Sequence, residues 1–371
     1  MDQAKSNREA KGLPEWKSRW VAWRNRLMAS PDFQKWASAV WPVSLIARRR
    51  AGGLFDLVAG FAYSQTLLCA VESGLLDLLA EGPCDADAVA KHCDLSPDAA
   101  LRLVRAAAAL DLAEEVSPGW WMLGQQGAAL HANPGAKAMI RHHKLLYADL
   151  ADPLALLRAD RQQETHLSRF WHYAAAENSA EAAAYSELMA TSQALVSQQL
   201  LDAYDFSRHQ ALLDVGGGHG AFAKAVTARH PQLRIGVFDL PPVLESASLP
   251  AAFARHPGDF FKTPLPSGYD CITLNRILHD HDDEAAINIL KASRRALPPG
   301  GRLVIAEPMA NTPGAKPMGD AYFGLYLWAM NSGRPRTVDS IGTMLEEAGF
   351  ARWKALRTRQ PVIASAIVSF V

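Results

Sequence analysis

Residues 211–222 of this 371-residue chain read ALLDVGGGHGAF. An apolar run reaches Asp214 and Val215, then breaks into Gly216, Gly217, Gly218 and Gly220 ahead of a helix-like spacing. Glycines let the backbone take positive φ and let a ligand approach the main chain with no Cβ in the way. Nineteen residues past Gly220 a second apolar run ends in Asp239, where a carboxylate is placed to accept both hydroxyls of a ribose. Gly258-Asp259-Phe260-Phe261 follows. The set predicts a nucleoside-bearing cofactor at the strand tips. Its D-x-G-x-G-x-G spacing differs from G-x-G-x-x-G, which aims a helix N-terminus at a pyrophosphate.

A second chemical group lies in LNRILHDHDDE, residues 274–284. His279 falls just past the end of an apolar strand, where open α/β sheets face their ligand crevice. Its reference pKa of about 6.5 suits a general base near neutral pH. The neighbouring acids also invite a metal reading. A simpler task for Asp282, Asp283 and Glu284 is to cap the next helix and complement its positive end. We expect no metal.

These groups require a doubly wound α/β domain. From residue 206 the alternation is regular, with strands expected near 211–215, 234–238, 270–276 and 302–307. Helices are expected near 219–230, 283–297, 319–331 and 337–348. A closing hairpin over 351–357 and 362–370 is foreign to a plain nicotinamide-binding Rossmann domain.

Upstream, residues 51–80 read as a largely buried helix and a second one. Short helices follow near 85–91 and 96–110, then a hairpin around Ser117-Pro118-Gly119. That is a winged helix, which raises the rival reading of a DNA-binding regulator. The would-be recognition helix, DAALRLVRAAAAL, carries only Arg102 and Arg105 as cations, too few for phosphates and base edges. We expect dimerisation and no nucleic acid. Residues 136–205 read as a helical connector lining the substrate pocket. Candidate wall residues are Phe170, Trp171, Tyr185, Met189, Tyr322, Leu325, Trp328 and Met330, which predict a hydrophobic acceptor. The division is 1–50, 51–135, 136–205 and 206–371.

The chain has 38 basic and 38 acidic residues, so no global charge draws it to nucleic acid or membrane. Residues 1–50 are the exception, with eleven Lys or Arg against four acids. Trp16, Trp20, Trp23 and Leu27 fall on one face of a helix, and Phe33, Trp36 and Trp41 continue beyond Ser30-Pro31. Such a segment suits a membrane interface, or an arm packed on its own domain or a dimer partner. Four cysteines without C-x-x-C pairing point to a reducing compartment. With no signal-peptide pattern and no stretch near the roughly 20 apolar residues of a span, we expect a cytoplasmic protein.

The glycine loop, Asp239 and GDFF together resemble class I S-adenosylmethionine (SAM) methyltransferases. LNRILHDHDDE is similar to the L-x-x-I-L-H-D-W-x-D-E segment of the metal-independent, caffeate-type O-methyltransferases. AEPM at 306–309 and RT…EEAGF at 336–350 extend the likeness. The resemblance implies a class I SAM methyltransferase domain behind a winged-helix dimerisation domain. It implies His279 as base, oriented by Glu307, with Asp239 and Asp259 on ribose and adenine. Asp214, Gly216, Gly218, Gly220, Phe260 and Asn275 complete the implied SAM site. The family's second glutamate is Ser340 here, with Asp339 beside it, and His281 replaces a tryptophan. WRNRLMASPDFQKWA and LFDLVAGFAYSQTLLCAVESGLLDLL resemble the carotenoid 1-hydroxyl O-methyltransferases of purple phototrophic bacteria. That implies hydroxyneurosporene or demethylspheroidene as acceptor. A bacteriochlorophyll precursor, an aromatic polyketide, and a SAM-binding regulator remain the alternatives.

Overall fold

The computed structural model describes residues 14–159, 163–173 and 193–371. Tyr185 and Met189, expected on the pocket wall, lie outside the described residues.

The N-terminal extension forms α1 (Glu15–Ala29) and α2 (Pro31–Ala39). Ser30 separates them and caps α2 by accepting the Phe33 N–H. Trp16, Trp20 and Trp23 share one exposed face of α1, so the arm does not fold that face onto its own domain. α3 (Val43–Glu72) is a single 30-residue helix, where the sequence suggested a buried helix beginning near residue 51. Leu54, Phe55, Leu57, Val58 and Phe61 are instead exposed. The apolar core begins at Leu68, where α3 meets α6 and α8. Apolar composition cannot distinguish a core helix from one whose cover belongs to another molecule. With a mean hydropathy of 1.5 in its best window, α3 is long and apolar enough to cross a membrane, which corrects the expectation of no such stretch.

α4 (Leu75–Glu81), α5 (Ala86–Cys93), α6 (Pro97–Ala109) and the hairpin β1 (Ala113–Ser117)–β2 (Trp120–Leu123) form the winged helix. Ala100, Val104 and Ala107 commit one face of α6 to the core, and Arg102 and Arg105 are exposed on the other. α7 (Gln125–His131) packs on α4 and β1, and α8 (Pro134–Asp149), α9 (Pro153–Arg158), α10 (His166–Tyr173) and α11 (193–203) follow before the large sheet.

The C-terminal part is a seven-stranded sheet. Its strands are β3 (Ala211–Val215), β4 (Arg234–Asp239), β5 (Ala254–Pro257), β6 (Cys271–Asn275), β7 (Arg302–Glu307), β8 (Arg352–Leu356) and β9 (Ser365–Phe370). The order is β5-β4-β3-β6-β7-β9-β8, parallel through β7 and antiparallel at β9 and β8. β5 was not foreseen: its residues, ARHP, carry no apolar alternation, and a proline is tolerated only at an edge. α12 (Ala221–Arg229), α13 (Pro241–Ser246), α14 (Asp283–Ala296), α15 (Gly324–Ala329) and α16 (Val338–Glu347) accompany the sheet. Two apolar clusters fill its faces, one centred on Leu213, Ile272, Ile305 and Ile289, the other on Leu212, Val237, Phe222 and Val304.

Candidate active site

The chain reverses strand order between β3 and β6, and ligand crevices open at such points. The glycine loop emerges there. Gly216, Gly218 and Gly220 have φ of 68°, 54° and 73°, which glycine alone adopts without strain. A Cβ on Gly217 would meet Asp214 Oδ2 at 2.8 Å, yet one on Gly218 would have nothing within 4 Å. The loop is packed from behind and open in front.

Asp214 accepts hydrogen bonds from Thr273 Oγ1 at 2.7 Å and Asn275 Nδ2 at 3.1 Å. Burial pushes its pKa up to about 7 against those bonds. Asp214 therefore stitches β3 to β6. Asn275 Oδ1 is buried and has no partner. Asp239 accepts the Gly218 N–H at 2.7 Å and the Leu240 N–H at 2.7 Å, and burial raises its pKa. Each carboxylate oxygen keeps a second lone pair, which a ribose hydroxyl can use. Asp259 accepts the Phe261 N–H at 2.9 Å and pairs with Lys262 at 3.3 Å. Open space beside Gly218, an unpartnered Asn275 oxygen and Asp239 at the tip of β4 together fit a nucleoside cofactor.

His279 sits on a one-turn helix, Leu278–Asp280, directly after β6. The turn into it is strained: Arg276 has φ 57°, outside the range most side chains prefer. His279 Nε2 lies 3.2 Å from Asp280 Oδ1. Glu307 Oε2 accepts the main-chain N–H of His279 at 3.2 Å, so it fixes the backbone and not the ring. His279 Nδ1 and Glu307 Oε1 are both buried without a partner. Burial, with Arg276 and Arg336 adding to it, holds the imidazole down to about 3, far below the free value. Burial raises Glu307 to about 7, against the pull of Arg336. The His279 imidazole is therefore buried and neutral near pH 7.

A strap holds this turn from the other side. Arg336 donates to the Leu278 carbonyl at 2.6 Å, the His281 carbonyl at 2.7 Å and Asp283 Oδ1 at 2.8 Å. The Arg334 N–H donates to the His279 carbonyl at 2.9 Å, and the Gly333 N–H to Asp282 Oδ1 at 3.1 Å. The side chain of Asp282 does not cap α14. Asp282 and Asp283 are drawn to the strap instead, while Asp283 and Glu284 keep the favourable first-turn position. Sequence reading missed Arg276, Gly333 and Arg336, although Arg336 stood inside the R-T motif. Asp339 and Ser340 are exposed at the start of α16. His281 stands edge-on to Phe260 at 5.5 Å and to Phe261 at 5.3 Å.

The surroundings of the His279 ring are aromatic. Phe323 lies 5.8 Å from the His279 ring, and Tyr322 lies 4.8 Å from Phe323. Trp328 was expected beside them but faces elsewhere. Its Nε1 donates to the Leu156 carbonyl at 3.0 Å, and it lines a 380 Å³ cavity with Asp149, Thr165 and Asn331. Among the described residues no group of three or more His, Cys, Asp or Glu is gathered as a metal would need.

A family model described as an O-methyltransferase domain matches residues 147–351, and one for an O-methyltransferase dimerisation domain matches 55–132. Demethylspheroidene O-methyltransferase of Rhodobacter capsulatus is 44% identical, covering 87% of this chain and 82% of its own. The protein of the same name from Cereibacter sphaeroides is 40% identical, covering 93% of both. Human N-acetylserotonin methyltransferase, solved in complex with SAM, superposes with a TM-score of 0.72 at 26% identity. That match covers 86% of this chain and 97% of the human one.

Proposed function

The chain belongs to the caffeate-type, SAM-dependent O-methyltransferases with a dimerisation domain, and we propose that it methylates the 1-hydroxyl of an acyclic carotenoid. The enzyme is a SAM-dependent methyltransferase, and its dimerisation domain supports a homodimer. The acceptor reading rests on one observation. The two demethylspheroidene O-methyltransferases are 44% and 40% identical over most of the chain.

In this reading Gly216, Gly218, Gly220, Asp239, Asp259, Phe260 and Asn275 hold SAM, and Asp214 braces their loop. When bound, SAM supplies a sulfonium methyl to the attacking oxygen and leaves as S-adenosylhomocysteine. His279 takes the hydroxyl proton at Nε2. The Asp280 carboxyl, 3.2 Å from that nitrogen, is the group placed to stabilise the charge the ring acquires, while Glu307 holds the backbone of the turn. A tertiary alcohol is a far weaker acid than a phenol, so the proton leaves late, concerted with methyl transfer. Positioning contributes most, and the base adds about 10²–10⁴-fold.

A carotenoid resides in the bilayer, and the N-terminal extension supplies a way to reach it. Trp16, Trp20, Trp23, Trp36 and Trp41 are exposed beside a run of Lys and Arg. We read the enzyme as cytoplasmic and peripheral on the inner or photosynthetic membrane. The test is an assay with labelled SAM, offering 1-hydroxy carotenoids in liposomes beside a bacteriochlorophyllide and a catechol. Label in the carotenoid alone is the expected result, and label only in the phenol or chlorin sinks the carotenoid reading.

A further inference from the structure

Two consecutive histidines of α8 face two tyrosines set one turn apart beside His279. His142 Nε2 lies 2.8 Å from the Tyr326 hydroxyl, and His143 Nε2 lies 2.6 Å from the Tyr322 hydroxyl. The two couples differ in surroundings. His142 and Tyr326 are buried, Tyr326 in the cluster of Leu146, Leu167 and Leu327. His143 and Tyr322 are half-buried, with the rings edge-on at 5.5 Å.

Tyr322 stands one ring from the base. It packs on Phe323 at 4.8 Å, and Phe323 lies 5.8 Å from His279. Both residues fall in a π-helical turn, Met318–Phe323, a widened geometry found frequently at functional sites. A buried hydroxyl needs a partner, and His142 meets that need for Tyr326. The Tyr322 hydroxyl has one donor and two lone pairs, of which His143 occupies one. That leaves the hydroxyl the capacity to bind a second group.

We infer that Tyr322, held by His143, binds the acceptor oxygen while His279 removes its proton. This rests on the reading of His279 as base. An alcohol oxygen has one hydrogen and two lone pairs. With the hydrogen on His279 and one lone pair on the Tyr322 hydroxyl, the second lone pair is left for in-line attack. His143 then donates its Nε2–H to the tyrosine oxygen, which orients the phenolic hydrogen toward the acceptor. His143 is a positioning residue acting through Tyr322. The buried His142–Tyr326 couple keeps the two helices in register.

The experiment compares Tyr322→Phe, His143→Phe, their double variant, His143→Gln and Tyr326→Phe. The measurements are kcat and KM for the acceptor, SAM affinity and Tm, with carotenoid and catechol each offered. Tyr322→Phe and His143→Phe should each lower kcat about tenfold or more with SAM affinity unchanged. The double variant should be no worse than either single one, as coupled residues require. His143→Gln, which keeps a hydrogen-bonding group, should recover part of the loss. Tyr326→Phe should lower Tm and leave kcat in place. Wild-type kcat and KM in Tyr322→Phe overturn the inference, as do activity losses that merely follow Tm across all variants. A His279→Ala variant run alongside separates the readings, because its full turnover would sink the base role whatever Tyr322 does.

Discussion

Gly333 approaches His279 so closely that a Cβ there would lie 2.0 Å from the His279 carbonyl oxygen. Its φ of 76° adds a second reason for glycine. The turn that carries His279 is thus held by a backbone crossing over it. Gly333→Ala should displace the His279 turn and lower kcat about 10²-fold, the usual cost of an ångström of misplacement. SAM affinity should stay near wild type, because the glycine loop lies on β3. Calorimetric titration of SAM beside steady-state kinetics checks this, and an unchanged kcat would show that the strap does not position the base.

Arg336 ties three main-chain or carboxylate groups together from a buried position. Arg336→Met removes those donors from the Leu278 and His281 carbonyls and from Asp283. We expect a loss on the order of 3 kcal/mol in urea denaturation, within the range for breaking a buried charged network. Lysine should rescue little, since it lacks the planar fork.

Burial sets the pH behaviour. His142 is held down to about 4 and His279 to about 3, chiefly by desolvation. A depressed folded pKa gives stability that is complete above the unfolded value of about 6.5 and is lost as pH falls toward the folded one. Asp214 and Glu307, raised to about 7, act in the opposite sense, losing stability as pH rises through that value. A difference between variants isolates one group. The Tm advantage of wild type over His142→Gln should be largest near pH 7 and shrink toward pH 4. In kinetics, kcat/KM should show no acid limb near the free-histidine value of about 6.5. A limb there that vanishes with His279 would show that the ring is wetter than its burial indicates.

Removal of residues 14–41 tests the extension. The truncated chain should remain a folded homodimer that no longer sediments with anionic vesicles and loses activity on liposomal carotenoid. A monomer would assign the exposed tryptophans to the subunit contact instead.

Much of this site was legible in the sequence because its signals are local. The glycine loop, Asp239 and the histidine after β6 each sit at a strand tip, and strand tips follow from apolar runs and the residues that end them. The strap was not legible. Gly333 and Arg336 act on residues more than 50 positions earlier, a pairing that no spacing rule contains. β5 escaped because an edge strand needs no apolar face, and Arg276 because its left-handed backbone has no glycine to announce it. α3 was misread for a different reason. Its apolar run is real, but Leu54, Phe55, Leu57, Val58 and Phe61 on it stay exposed among the described residues.

The most direct test of the account measures label transfer from SAM to a 1-hydroxy carotenoid in liposomes by wild type and His279→Ala. The prediction is carotenoid methyl ether from wild type and a loss of about 10²–10⁴-fold in the variant, with SAM affinity and Tm preserved. Near-wild-type turnover by His279→Ala, with label in the carotenoid, would contradict the role of His279 as base.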